Sequence, residues 1–258
     1  MKLFYREFGD KNNPVLIVLH GLFGMSDNWV SIAKILSQNR FVIVPDLRNH
    51  GNSPHSDDFD YSLMTQDILE LLELKQLKDV EIIGHSMGGK LAMNIALNYP
   101  EKVNKLIVAD MSMKEGELRD IHATILNTIA RTDLAIFRTY AEIEAWFDTF
   151  IDKKKVVLFA LKNIKKDEND HFSWKLNYYS LFQNTHKIME QVVGFEPFTK
   201  PTLFIRGGDS DYITDEDIPE IMEWFPYAEI KTIEGASHWV HADNPKVFME
   251  MVIKFLSK

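Results

Sequence analysis

Ser86 stands in Gly84-His85-Ser86-Met87-Gly88, between the β-branched run Val80-Glu81-Ile82-Ile83 and an apolar pattern at helical spacing over Lys90 to Asn98. A G-x-S-x-G at such a strand-to-helix turn lifts the serine hydroxyl above the sheet edge. The turn leaves almost no room for side chains on either flank, hence Gly84 and Gly88. The N–H groups that follow it lie at a helix N-terminus, where they favour a developing anion. A serine hydroxyl becomes a nucleophile only with a base in hydrogen-bond reach. Of the nine histidines, His238 in Gly235-Ala236-Ser237-His238-Trp239 has the expected place, after the last apolar run and before the last helical pattern. His20, His50 and His85 sit at strand ends or in loops, where an imidazole ordinarily holds loop backbone. His241, one turn beyond His238, is expected on a pocket rim. His55, His122, His171 and His186 have no supporting context. Two carboxylates could orient the base, Asp110 after Leu106–Ala109 and Asp211 in Gly207-Gly208-Asp209-Ser210-Asp211-Tyr212. Without that role Asp110 would be a helix N-cap and Asp211 a turn residue. Asp46 is expected to organise the Arg48–Ser53 loop. An acyl-transfer intermediate also needs two donors on its oxyanion. One is the Met87 N–H; the other comes from His20-Gly21-Leu22-Phe23-Gly24, with Leu22 preferred and Phe23 next.

These residues need a scaffold that delivers them to one edge. Six apolar runs, over 14–19, 41–44, 80–83, 106–109, 202–205 and 229–233, read as strands buried on both faces. Helical patterns separate them over 29–36, 62–74, 90–98, 217–224 and 245–256. Met1 to Phe8 alternates and reads as a further strand. The alternation predicts an α/β fold with a mostly parallel sheet and helices on both faces, whose sites lie beyond the carboxyl ends of the strands. Asp110 to Pro201 breaks the rhythm. It offers no good strand, and 118–129, 134–150, 154–164 and 178–193 read as helices. Inserted after a mid-sheet strand, they would form a cap over the active edge. The cap is rich in aromatic residues, of which Trp146 and Phe150, with Phe23 and Trp239 from the core, are candidates to line a substrate pocket.

Composition narrows the function classes. The chain has 258 residues, 45% of them hydrophobic, enough for one α/β domain with an insertion. A net charge of −9 argues against nucleic acid as a partner. The absence of cysteine excludes disulfides and thiolate metal sites and fits a reducing, cytoplasmic compartment. No apolar stretch is long enough to span a bilayer, and the N-terminus does not read as a signal peptide. The acidic cluster Asp209, Asp211, Asp215, Asp217 lacks the glycine and glutamate of a calcium loop. No phosphate loop or zinc-protease motif occurs, so neither metal nor cofactor is expected. The lysines at 153–155, 162, 165 and 166 make the cap locally basic, ordinarily a solvated helix face; a phosphate-bearing acyl carrier is the alternative occupant.

The set His20–Gly24, Asp46-Leu47-Arg48-Asn49-His50-Gly51-Asn52-Ser53, Gly84–Lys90 and Gly235-Ala236-Ser237-His238-Trp239-Val240-His241 resembles the α/β-hydrolase superfamily along the whole chain, and more narrowly the YbfF-type bacterial esterases. The resemblance implies a hydrolase core over 1–111 and 196–258 and a helical cap over 112–195. It implies cofactor-free hydrolysis of small-molecule carboxylic esters, or of acyl-CoA or acyl-carrier thioesters, through an acyl-enzyme. It also implies Asp110 as the acid, whereas the more usual placement in the superfamily would make it Asp211. Dehalogenase and epoxide hydrolase chemistry would need Asp where Ser86 stands. A catalytically idle scaffold acting as a ligand sensor is the reading from another class; the complete Ser86, His238 and Asp set argues against it.

Overall fold

The apolar runs become parallel strands because residues such as Ile17, Ile43, Ile82 and Ile107, all fully buried, need cover on both faces of a sheet. In the computed structural model, which describes residues 1–258, the chain runs β1 (Tyr5–Phe8), β2 (Val15–Leu19), α1 (Val30–Leu36), β3 (Phe41–Pro45), α2 (Tyr61–Leu74), β4 (Val80–His85), α3 (Met87–Asn98) and β5 (Val103–Ala109). It continues through α4 (Asp120–Ala130), α5 (Tyr140–Phe147), α6 (Lys154–Leu161), β6 (Ile164–Lys166), β7 (Phe172–Trp174), α7 (Tyr178–Gln183) and α8 (Thr185–Met189). It closes with β8 (Thr202–Gly207), α9 (Ile218–Trp224), β9 (Ala228–Ile233), α10 (Val240–Asp243) and α11 (Pro245–Leu256). The seven-stranded sheet has the order β1-β3-β2-β4-β5-β8-β9. Only β1 is antiparallel; Ile17 pairs with both Ile43 and Ile82, and Ile107 with Leu203. Apolar clusters lie on both faces, one around Leu91, Phe204 and Phe225 and one around Trp29, Val44 and Phe248.

The segment between β5 and β8 departs from the four expected helices. The pattern over 134–150 is interrupted at Thr139, whose side chain accepts from the Glu142 N–H in a capping box and starts α5 afresh. The pattern over 178–193 splits into α7 and α8 and ends at Met189. A hairpin, β6 with β7, stands where no strand was expected. Its strands have three residues each, too few for an alternating pattern to register; the turn is set by Asp167, whose N–H donates to the His171 carbonyl (2.9 Å), and by Asp170 at φ +66°.

The two ends of this segment are tied together and to the core. The Gly116 N–H donates to the Met189 carbonyl (3.0 Å) and the Val192 N–H to the Met113 carbonyl (2.8 Å). Lys90, buried on α3 one turn past Ser86, donates its three Nζ hydrogens to the carbonyls of Lys114 (2.8 Å), Met189 (3.1 Å) and Glu190 (2.6 Å). Burial pushes its pKa down to about 8. The tie fixes the inserted helices relative to the helix that starts at the Ser86 turn.

Candidate active site

Ser86 occupies the turn between β4 and α3 at φ +54°, ψ −122°, a conformation that costs a non-glycine residue on the order of 1–3 kcal/mol and persists only where the surroundings enforce it. Close packing supplies the enforcement. A Cβ on Gly84 would lie 2.1 Å from the Gly88 carbonyl oxygen, and one on Gly88 2.4 Å from that of Leu19. The Ser86 N–H is held by the Ala109 carbonyl at 3.2 Å. Ser86, 5% exposed, is thus fixed at the carboxyl end of the sheet.

His238, on the loop between β9 and α10, brings its Nε2 to 2.9 Å from Ser86 Oγ. Its Nδ1 lies 2.8 Å from Asp110 Oδ2. Asp110 follows β5 with φ +50° and is fully buried. Its Oδ1 accepts the Gly207 N–H at 2.8 Å, and its Oδ2 also accepts the Ser210 hydroxyl. Burial pushes the Asp110 carboxyl up to about 7 against these two hydrogen bonds. Burial likewise pushes His238 down to about 3, so the ring stands neutral and able to accept the Ser86 proton. Asp211 points elsewhere. It is 69% exposed and pairs with Arg119 at 2.9 Å.

Both expected oxyanion donors have free N–H groups. Met87 is the first helical residue, so its N–H has no intrahelical acceptor; the Leu22 N–H has no acceptor in the protein. Both residues border the Ser86 cavity. The alternative, Phe23, is ruled out. Its N–H donates to His50 Nε2 at 3.2 Å and its carbonyl accepts from Asn163 Nδ2 at 2.9 Å. Phe23 also fails as a pocket residue, since its ring is fully buried in the core beneath the site.

Ser86 faces two cavities. One of about 20 Å³ touches Ser86, His238, Trp239 and His241. The other, about 50 Å³, touches Ser86, Met87, Met111, Ile188, Met189 and Tyr212 among others. Leu22 and His122 border both. Trp146 and Phe150 border neither. Trp146 donates its Nε1–H to Thr132 Oγ1 at 3.0 Å and packs on Phe150 at 5.0 Å within the inserted helices. Aromatic character alone could not separate packing of the insertion from lining of a pocket.

Three residues near Ser86, His238 and Asp110 carry little signal in the sequence. The Tyr212 ring stacks on His238 at 3.6 Å, with Arg119 over its other face at 5.0 Å. Ser210 holds Asp110. His122, on α4, lies 6.1 Å from the His238 ring and is kept neutral by burial, its pKa down at about 3. Only the local turn at Ser210 and Tyr212 could have drawn notice; their reach to Asp110 and His238 is tertiary. His20 and His50 hold loops, His20 Nε2 accepting the Leu47 N–H at 2.9 Å. Asp46 organises its loop by accepting the N–H groups of Ser26 (2.6 Å) and Asn52 (2.8 Å). No cluster of three or more His, Cys, Asp or Glu side chains is gathered to hold a metal, and no helix is long and apolar enough to cross a membrane.

The fold has known counterparts. A profile of the alpha/beta hydrolase fold matches residues 14–132. The chain is 37% identical to an sn-1-specific diacylglycerol lipase of Mus musculus, over 96% of this chain and 83% of the relative. It is 31% identical to Esterase YbfF of Escherichia coli, over 95% of this chain and 93% of the relative. Among solved structures, a marine microorganism esterase superposes with a TM-score of 0.95 at 42% identity, over 98% of this chain and 99% of that one. The chain belongs to the α/β-hydrolase family. Within it, the protein is a serine hydrolase of carboxylic esters, acting on small-molecule esters.

Proposed function

We propose that Ser86, His238 and Asp110 form the catalytic triad, that the Leu22 and Met87 N–H groups form the oxyanion hole, and that residues 112–195 are a cap on a core made of 1–111 and 196–258. The observation that carries the reading is the unbroken relay Ser86 Oγ, His238 Nε2, His238 Nδ1, Asp110 Oδ2, with links of 2.9 and 2.8 Å. Neutral His238 takes the Ser86 proton as Oγ attacks the acyl carbonyl. The Asp110 carboxylate keeps the other ring proton on Nδ1 and stabilises the imidazolium. The tetrahedral oxyanion is held by the Leu22 and Met87 N–H groups. His238 then protonates the leaving alcohol, and the acyl-enzyme is cleared by a water that the same ring activates. The lack of cysteine supports a cytoplasmic setting. Ser86→Ala and His238→Ala should each lower kcat on a short activated ester by about three orders of magnitude, the double variant being little worse than either. Near wild-type turnover in Ser86→Ala would sink the proposal.

A further inference from the structure

The two cavities at Ser86 are not equivalent, because the reaction has a direction. The leaving oxygen takes its proton from His238 Nε2 and must depart on the side of Ser86 where that ring stands. His238 borders the 20 Å³ cavity and is absent from the walls of the 50 Å³ one, which Met87 borders instead. Resting on the triad reading, this places the acyl chain in the cavity walled by Met111, Ile188 and Met189. That space holds about three to five water-sized groups, so the acyl chain is short. On the other side, Asn28, Phe159, Trp239 and His241 are shared with a surface cleft of about 510 Å³ between α6 and the α1–α10 corner. The small cavity is the neck of that cleft. At the neck His241 stacks on Trp29 at 4.4 Å, and its buried Nδ1 has no partner in the protein.

We propose that this cleft is the leaving-group subsite, and that it selects esters of large, amphipathic alcohols carrying a negative charge. Ile32, Val156, Phe159 and the Trp239 indole give it apolar walls, and Lys155 and Lys162 give it cations. Lys155 lies over the Trp239 ring at 5.7 Å and is paired with Asp243 at 2.9 Å. Lys162 pairs with no carboxylate, which leaves one uncompensated positive charge on the cleft. The acyl side offers nothing similar. Lys90 is spent on three backbone carbonyls, Lys114 on Asp217 and Arg119 on Asp211. The unpartnered His241 nitrogen at the neck is free for a polar group of the departing alcohol.

The test compares two butyrate esters with flat, fluorescent leaving groups, hydroxypyrene trisulfonate and neutral methylumbelliferone. The wild type should show a kcat/KM ratio, anionic over neutral, that falls as salt is raised. Lys162→Glu should lower that ratio about tenfold, from reversal of one partly screened charge. Ala242→Trp, a substitution at an exposed cleft position, should cut kcat/KM for both bulky esters at least tenfold relative to methyl butyrate. An unchanged ratio in Lys162→Glu overturns the charge selectivity. Equal effects of Ala242→Trp on bulky and methyl esters overturn the subsite. A wild type that hydrolyses none of the three esters overturns the triad reading instead.

Discussion

Replacing Asp110 by Asn separates the two carboxylates near His238, and the outcome follows from the donors around it. Oδ1 accepts the Gly207 N–H at 2.8 Å, while Oδ2 faces His238 Nδ1 at 2.8 Å and the Ser210 hydroxyl. An asparagine has one acceptor oxygen and one NH₂ for these two places. The backbone N–H of Gly207 cannot turn away, so the oxygen must face it; the Ser210 hydroxyl can rotate. The NH₂ is then driven against His238 Nδ1. The ring answers by moving its proton to Nε2, where it can no longer accept from Ser86. Loss of the correct tautomer and of the carboxylate charge should lower kcat by about 10³ to 10⁴, roughly 4–5.5 kcal/mol of transition-state stabilisation. Asp211→Asn removes only an exposed pair with Arg119, worth about 0–1 kcal/mol, and should cost less than about tenfold. The assay is kcat for both variants on one short activated ester, with circular dichroism to confirm folding. A crippled Asp211→Asn beside a mildly affected Asp110→Asn would refute the assignment.

Asp110 must be ionised to hold the Nδ1–H tautomer. Because burial raises it to about 7, activity should be present above that pH and be lost as pH falls through it; His238, down at about 3, stays neutral throughout this window. Ser210→Ala removes a hydrogen bond that lowers the Asp110 pKa, so the acid limb of the kcat–pH profile should move up by about one pH unit. An unmoved limb would mean that another group sets it. Met189→Ala opens the acyl cavity and should lengthen the preferred acyl chain by about two carbons, each methylene being worth about 0.8 kcal/mol. Trp146→Ala should leave the chain-length profile unchanged and lower Tm by about 5 °C through lost packing; a changed profile would return Trp146 to the pocket.

The parts of the site legible in the sequence are those fixed by local backbone chemistry. Gly84 and Gly88 are dictated by contacts within one turn and its neighbouring strand, so Ser86 announces itself. His238 is legible from chain order, and the parallel strands from their uninterrupted apolar runs. Composition and spacing do not separate Asp110 from Asp211, since both follow strands that end at the same edge; only the resemblance does. What favours Asp110 is the left-handed turn there, which aims the carboxylate between Gly207 and His238. Trp146 and Phe150 read as pocket residues because a cap is aromatic for two reasons, and the sequence does not say which side chain serves which. Tyr212 and His122 reach His238 from separate segments, a proximity with no period or spacing to betray it. The β6–β7 hairpin is not legible because three-residue strands lie below the length at which alternation registers.

Activation of Ser86 by His238 is tested by reaction of the folded protein with a fluorophosphonate, followed by peptide mass spectrometry. One phosphonyl group per chain is expected, on the peptide that carries Ser86, with labelling abolished in Ser86→Ala and strongly slowed in His238→Ala. Stoichiometric labelling at another residue, or a Ser86→Ala variant labelled at the wild-type rate, would contradict it.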